Sequence, residues 1–356
     1  MRCLINFNLG PKKMKKIDHT QRKNEHLDII FRPPQTEPQV RTGFAEWRFQ
    51  HCALPELDLD SIDLKCSLFG KILQAPLLIS SMTGGVHRAH AINHHLAEAA
   101  QVLGISMGVG SQRVALENEA NDGLNRSLRQ IAPDILLFAN LGAAQIRGER
   151  GFNYALRAVQ MIEADALIIH LNPLQEALQQ EGDRNWRHIL YAIEQLVTKL
   201  GVPIIVKEVG SGLSLPVARQ LAEAGVSMLD IAGAGGTSWA AVEAERASTP
   251  YHRALAMAFA DWGIPTATAL REIRKALPNM PLIASGGIRN GVDAAKAYCM
   301  GAQLVGQAAA VIHSAALSTD AVIEHFQLII EQIKIACFCT GSADIAALRT
   351  AVLLPT

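Results

Sequence analysis

Three groups of residues in this chain are placed where chemistry could use them. Lys207 ends an otherwise apolar run, VPIIVKEVG. A lysine in such surroundings must meet an anion or shift its pKa. That suits it to forming a Schiff base or to stabilising negative charge on a flavin ring. An ion pair with the adjacent Glu208 is the plain structural alternative, but neighbours along a strand point to opposite faces. The segment HLNPLQE gathers His170, Asn172, Gln175 and Glu176. Glu176 has no second carboxylate beside it in that motif. One carboxylate completed by substrate phosphates and water is a normal Mg2+ arrangement; the plain alternative is a carboxylate meeting a helix dipole. The third group is SGGIRNG, where Gly286 and Gly287 follow an apolar run and precede a helical stretch. Glycines let backbone N–H groups approach an anion, and the helix N-terminus that follows favours negative charge. Arg289 can add a fixed charge, and VGQAAA in the next unit offers further small residues.

Cations are available for an anionic small molecule. Arg22 and Lys23 in RKNEH are followed by His26, and Arg113 closes GSQR. Arginine holds diphosphate oxygens in bidentate fashion. A solvated N-terminal segment is the plain reading of Arg22 and Lys23. Asn140 in ANLG and Thr237 in GGTSW are neutral hydrogen-bonding groups suited to the polar edge of a ring system.

These residues must be positioned by a repeating framework. From about residue 75 the chain alternates between short apolar runs and alanine-rich amphipathic stretches. The apolar runs are 76–85, 104–111, 134–142, 166–172, 202–210, 227–236, 281–287 and 302–308. Between them apolar residues recur at i, i+3, i+4 and i+7, the helical period. Strands that are continuously apolar are covered on both faces, as in a parallel sheet with helices outside. Eight βα units predict a closed (β/α)8 barrel of the TIM type, with its site at the C-terminal ends of the strands. A doubly wound open sheet is the runner-up, disfavoured because no GxGxxG follows the first strand. Seven strand ends are polar (SSMTGG, GSQR, ANLG, HLNPLQE, KEVGSG, AGAGGTSW and SGGIRNG), too many to be helix caps alone. Residues 18–75 are expected to cap the barrel or cover its mouth, and 233–264 to form a long insertion after the sixth strand. The expected organisation is thus a tail, 1–17, and one barrel domain, 18–356, with Met14 a second possible start.

Composition excludes several classes. The 33 basic and 33 acidic residues balance, so the basic excess of a nucleic-acid binder is missing. No run of eighteen apolar residues indicates a membrane span. The six cysteines form no CxxC pair, and the CFC at 337–339 is too tight for a usual zinc knuckle. Reduced cysteines of a cytosolic protein are the expectation.

Taken in order, RKNEH (22–26), SSMTGG (80–85), GSQR (110–113), HLNPLQE (170–176), KEVGSG (207–212), AGAGGTSW (232–239), DWGIPT (261–266) and SGGIRNG (285–291) resemble the motif series of the type 2 isopentenyl-diphosphate isomerases. The resemblance covers roughly 18–350. SGGIR is shared by many flavin barrels, whereas HLNPLQE with GGTSW and RKNEH is specific. The resemblance implies interconversion of isopentenyl and dimethylallyl diphosphate with reduced FMN, NADPH as reductant and Mg2+. It implies that Ser81, Met82, Thr83, Ser111, Asn140, Lys207 and Thr237 line FMN, and that Gly287, Ile288, Arg289, Ala308 and Ala309 hold its phosphate. Arg22, Lys23, Ser111, Gln112, Arg113 and Gln175 are then expected to meet the substrate, and Glu176 to hold Mg2+ against the diphosphate. His170 and Gln175 are the expected catalytic residues, His170 positioning the reacting groups. The expected setting is cytoplasmic, with a small-molecule diphosphate and further copies of the chain as partners, and neither nucleic acid nor membrane. Two other readings stay open: an FMN-dependent oxidoreductase of the 2-hydroxy-acid oxidase type, and a non-catalytic FMN-binding barrel.

Overall fold

The computed structural model describes residues 19–32, 39–82, 87–117 and 124–356. The expected tail, the alternative start at Met14, and Thr83 lie outside them. All eight apolar runs form strands: β1 (Leu77–Ile79), β2 (Ser106–Gly108), β3 (Leu137–Gly142), β4 (Ala166–His170), β5 (Ile204–Lys207), β6 (Met228–Asp230), β7 (Leu282–Ala284) and β8 (Leu304–Gln307). Each pairs in parallel with the next, and β8 closes on β1 through Val305 opposite Leu77. The chain is therefore a (β/α)8 barrel, with helices following the strands.

Two apolar layers explain why the strands are apolar throughout. Leu167, Ile169, Ile204 and Val206 pack outward with the helices. Their neighbours Ala166, Ile168, Ile205 and Met228 pack in a separate inner cluster. The two-residue period of a strand then carries the inward set to polar ends. His170, Lys207 and Asp230 follow Ile168, Ile205 and Met228 on the same face. Register places them side by side, His170 opposite Lys207 and Lys207 opposite Asp230.

The segment before the barrel closes both ends. The hairpin Cys66–Leu68 with Lys71–Leu73 inserts Leu68 and Leu73 into the inner cluster. Phe69 meets Phe138 edge to face at 6.3 Å between ring centroids, so the end of the barrel away from the polar row is plugged. The helix His19–Ile30 lies at the opposite end and buries Leu27 in the core. Trp47–Phe49 pairs antiparallel with Leu353–Pro355, tying the segment to the C-terminus. The insertion after β6 carries two helices, Trp239–Arg246 and Pro250–Met257. Among the described residues no helix is long and apolar enough to cross a membrane.

Candidate active site

The polar strand ends surround a cavity of about 730 Å³, roofed by the helix His19–Ile30 and the insertion. Ser81 and Met82 after β1, Ser111 and Arg113 after β2, and Asn140 on β3 line it. So do His170, Gln175 and Glu176 after β4, Lys207 on β5 and Thr237 after β6. Gly287, Ile288 and Arg289 after β7, with Ala308 and Ala309 after β8, form one wall. Arg22 and Lys23 enter from the roof. Of the described candidates, Gln112 alone is not brought to the cavity. It is fully buried; its Nε2 donates to Ala158 O at 2.9 Å and its Oε1 accepts from Asn140 N at 2.9 Å. Ser111 and Arg113 on either side point into the cavity, and Gln112 is turned away from it. It braces the backbone of β3 instead.

The wall after β7 and β8 fits a phosphate. Gly286 and Gly287 adopt φ of 98° and 75°, a region that L side chains rarely occupy. A Cβ at Gly236 would come within 2.6 Å of Gly287 N, so two glycine turns pack directly against each other. The helix Ala309–Leu317 begins beside them and presents its first N–H groups to the same space. After the neighbouring strand β1, Ser81 Oγ is buried with no hydrogen-bond partner. Such a hydroxyl calls for a ligand atom, so the residues present fit FMN, phosphate end against the glycine wall.

His170 is held in one protonation state. Asn140 Nδ2 donates to Val109 O at 3.1 Å. Its Oδ1 therefore accepts, and His170 Nδ1 is the donor to it at 2.8 Å. Burial, helped by the charges of Lys207 and Lys23, pushes the imidazole down to about 3. Nε2 is the free acceptor, and a Cβ at Gly142 would sit only 3.0 Å from it. The glycine leaves room for that edge. A neutral ring that is so weak a base can accept a hydrogen bond and shape the cavity. It is poorly matched to proton abstraction near neutral pH, where a useful base has a pKa near 7.

Lys207 Nζ donates to Glu208 O at 2.6 Å, and no ion pair with the Glu208 carboxylate forms. That carboxylate turns into its own loop and accepts from Val209, Gly210 and Ser211 N–H. The carboxylate facing the lysine is Asp230, at 4.0 Å. Glu176 is buried; Oε1 accepts from Asn172 Nδ2 at 3.0 Å and Oε2 from Asp183 N at 2.7 Å. Neither bond is to the N–H groups of its own helix. Among the described residues no group of three or more His, Cys, Asp or Glu gathers to hold a metal. A cation at Glu176 must therefore take its other ligands from substrate and water, as Mg2+ does. Arg113 is paired with Asp183 at 3.1 Å and Glu117 at 3.2 Å.

One residue had no sequence signal. Glu243, on the insertion helix, is buried, and its Oε1 accepts from Gln175 Nε2 at 3.3 Å and Gln179 Nε2 at 2.7 Å, with His26 Nε2 at 2.9 Å. Arg246 binds its Oε2 at 2.7 Å and also reaches Glu25. Burial opposes ionisation, but His26, Arg246 and Gln179 outweigh it and hold the carboxyl down to about 2. Arg22 Nη1 donates to Gln179 Oε1 at 2.9 Å, and Lys23 Nζ to Ser111 O at 3.0 Å. The helix His19–Ile30 is thereby latched over the mouth, and its cations are not a solvated tail. Only a motif of spacing longer than two hundred residues could have linked Glu243 to His26.

Comparison with known proteins agrees with this geometry. Residues 152–355 match the FMN-dependent dehydrogenase family. Solved structures share the fold at low identity. A lactate oxidase of Pediococcus acidilactici aligns with a TM-score of 0.68 at 17% identity, over 97% of this chain and 96% of that one. A mandelate oxidase carrying an FMN adduct aligns at 0.64 and 17%, over 89% and 90%. The curated relatives are far nearer. The isopentenyl-diphosphate delta-isomerase of Cronobacter sakazakii is 67% identical over 96% of this chain and 98% of its own length. That of Stutzerimonas stutzeri is 63% identical over 96% and 99%, and that of Synechocystis 50% over 92% and 93%. With such identity over nearly its whole length, this chain belongs to the isopentenyl-diphosphate delta-isomerase family.

Proposed function

We propose that the protein interconverts isopentenyl diphosphate and dimethylallyl diphosphate by a 1,3-proton shift at the barrel mouth. The observation that carries this is one cavity with two anion-binding ends. The glycine wall at Gly286–Gly287 suits a cofactor phosphate, and Arg22 and Lys23 at the roof, with Arg113 after β2, suit a second, diphosphate group. FMN fits the first end. When bound and reduced, it supplies an electron-rich ring that stabilises developing positive charge and takes part in proton exchange. The residues do the rest. Ser81, Met82, Ser111, Asn140, Lys207 and Thr237 bound the ring, while Ile288, Arg289, Ala308 and Ala309 complete the phosphate wall. Arg22 and Lys23 bind the diphosphate through charge-assisted hydrogen bonds, with Gln175 beside them. Glu176 would hold Mg2+ against it. Neutral His170 positions the alkene end and carries no proton of its own to give from Nε2. The latched helix His19–Ile30 excludes water from the reacting carbons. NADPH is the proposed reductant, and assembly into a homo-oligomer in the cytoplasm is the proposed setting.

The oxidase reading has fold likeness alone at 16–17% identity, and the depressed basicity of His170 does not suit it. The test is turnover of isopentenyl diphosphate by the FMN-loaded protein with and without reductant. Product only under reducing conditions is expected; no product in either case refutes the reading.

A further inference from the structure

Among the described residues Asp230 is the most enclosed charged side chain, and it has no part in the roles above. It is 1% exposed, at the C-terminal end of β6. Ser285 Oγ donates to its Oδ1 at 2.6 Å, and Ala232 N–H also donates to the carboxylate. Its Oδ2 is buried, has no hydrogen-bond partner and lies 4.0 Å from Lys207 Nζ. Register explains the arrangement. Lys207 and Asp230 are opposite each other across β5 and β6, and Asp230 is opposite Ile283 on β7. Ser285, two residues beyond Ile283, points to the same inner face. Four successive strands thus form a row in which His170, Lys207 and Ser285 line the cavity and Asp230 is buried between Lys207 and Ser285. Asp230 is the carboxyl group that faces the lysine in this row.

We propose that Asp230 is a positioning residue whose Ser285-pinned carboxylate orients the Lys207 ammonium and sets how much positive charge a bound flavin meets. This rests on the FMN reading above. A buried carboxylate without a counter-ion favours its neutral acid, and burial already pushes Asp230 up. Lys207 and Asp230 therefore act as one unit: the lysine opposes the effect of burial and favours the ionised carboxyl, and the carboxylate reduces the field of the lysine. Removing the carboxylate charge exposes the flavin to the full charge of Lys207. The reduced, more negative flavin is then favoured, and the midpoint potential rises.

The experiment measures FMN affinity by flavin fluorescence and the flavin midpoint potential in wild type, Asp230→Asn, Lys207→Met, the double variant and Ser285→Ala. Asp230→Asn is expected to retain FMN and to raise the reduced-to-oxidised ratio at fixed potential at least about tenfold, which is about 30 mV for a two-electron couple. Lys207→Met should shift the potential downward. In the Lys207→Met background the Asp230→Asn shift should vanish, because the carboxyl is then already neutral. Ser285→Ala removes a hydrogen bond that favours the ionised carboxyl, and should give a smaller shift of the same sign; it decides the matter should Asp230→Asn fail to fold. An unchanged potential in FMN-loaded Asp230→Asn, an undiminished shift in the double variant, or no shift in Ser285→Ala would overturn the proposal while leaving the cofactor reading intact. Wild-type protein that takes up no FMN would remove both.

Discussion

His170 Nδ1 lies 2.8 Å from Asn140 Oδ1, and this one bond fixes what the histidine can do. Asn140 offers an acceptor because its own amide is committed to Val109 O. Burial and the charges of Lys207 and Lys23 keep the imidazole neutral, and the bond to Asn140 places its proton on Nδ1. The pKa of about 3 lies below the ordinary value of 6.5, which gives a definite sign. Above pH 6.5 the ring is neutral in both folded and unfolded chains, and the stability tied to its burial is fully present. As pH falls toward 3 only the unfolded chain takes up the proton, so that stability is lost. The His170 ring signals in NMR should not titrate between pH 8 and 5. A His170→Asn variant should show a shallower loss of stability over the acid range. A His170 titration midpoint near 6.5 would contradict the assignment.

Glu243 joins three elements that are far apart in sequence. Glu243→Ala leaves Arg246, Gln175 and Gln179 without their shared acceptor. Removing one partner of a buried ion pair costs about 3–5 kcal/mol. A clear fall in melting temperature and faster proteolytic cleavage within 19–30 are expected. Since the carboxyl is held down to about 2, its contribution is present above the ordinary carboxylate range and is lost only as pH falls through that value. Unaltered protease resistance of the N-terminal helix would show that other contacts hold it.

The barrel was legible because its signal is local. Each strand is apolar and each helix periodic, and both periods are visible within a dozen residues. The grouping of His170, Lys207 and Arg289 at one mouth followed from strand order alone. Gln112 was misleading for a local reason too. It sits between two cavity residues in GSQR, yet it faces away and serves the backbone of Asn140. The hairpin at 66–73 and the Glu243 latch were not legible. Their partners, Phe138 and His26, are remote in sequence, and nothing in local composition distinguishes a barrel plug from a surface hairpin. Asp230 was hidden inside an apolar run, where it read as one more strand residue.

Glu176 is engaged by Asn172 and by the Asp183 N–H. Each oxygen keeps a further lone pair for a cation. Glu176→Gln preserves size and removes charge. It should leave FMN bound, raise the Mg2+ concentration needed for half-maximal activity and weaken substrate binding. An unchanged Mg2+ dependence would reduce Glu176 to a brace for the loop at Asp183.

Arg22 carries a buried Nε with no partner, and its Nη1 is held by Gln179. A donor of that kind is prepared for an anion. A charge-assisted hydrogen bond is worth about 1.5–3 kcal/mol, or roughly ten- to a hundredfold in affinity. Arg22→Ala should weaken isopentenyl diphosphate binding at least about tenfold with FMN content unchanged. Wild-type kinetics at subsaturating substrate would leave Arg113 as the main diphosphate cation.

On the proposed function, a flavin-barrel chain of this geometry runs an isomerisation with no net redox change. The most direct measurement follows isopentenyl diphosphate and NADPH together under anaerobic conditions, with FMN-loaded protein and Mg2+. Many equivalents of dimethylallyl diphosphate should form for each NADPH oxidised, and none before the flavin is reduced. NADPH consumption matched one for one to product, or product formed by the oxidised protein, would contradict the account.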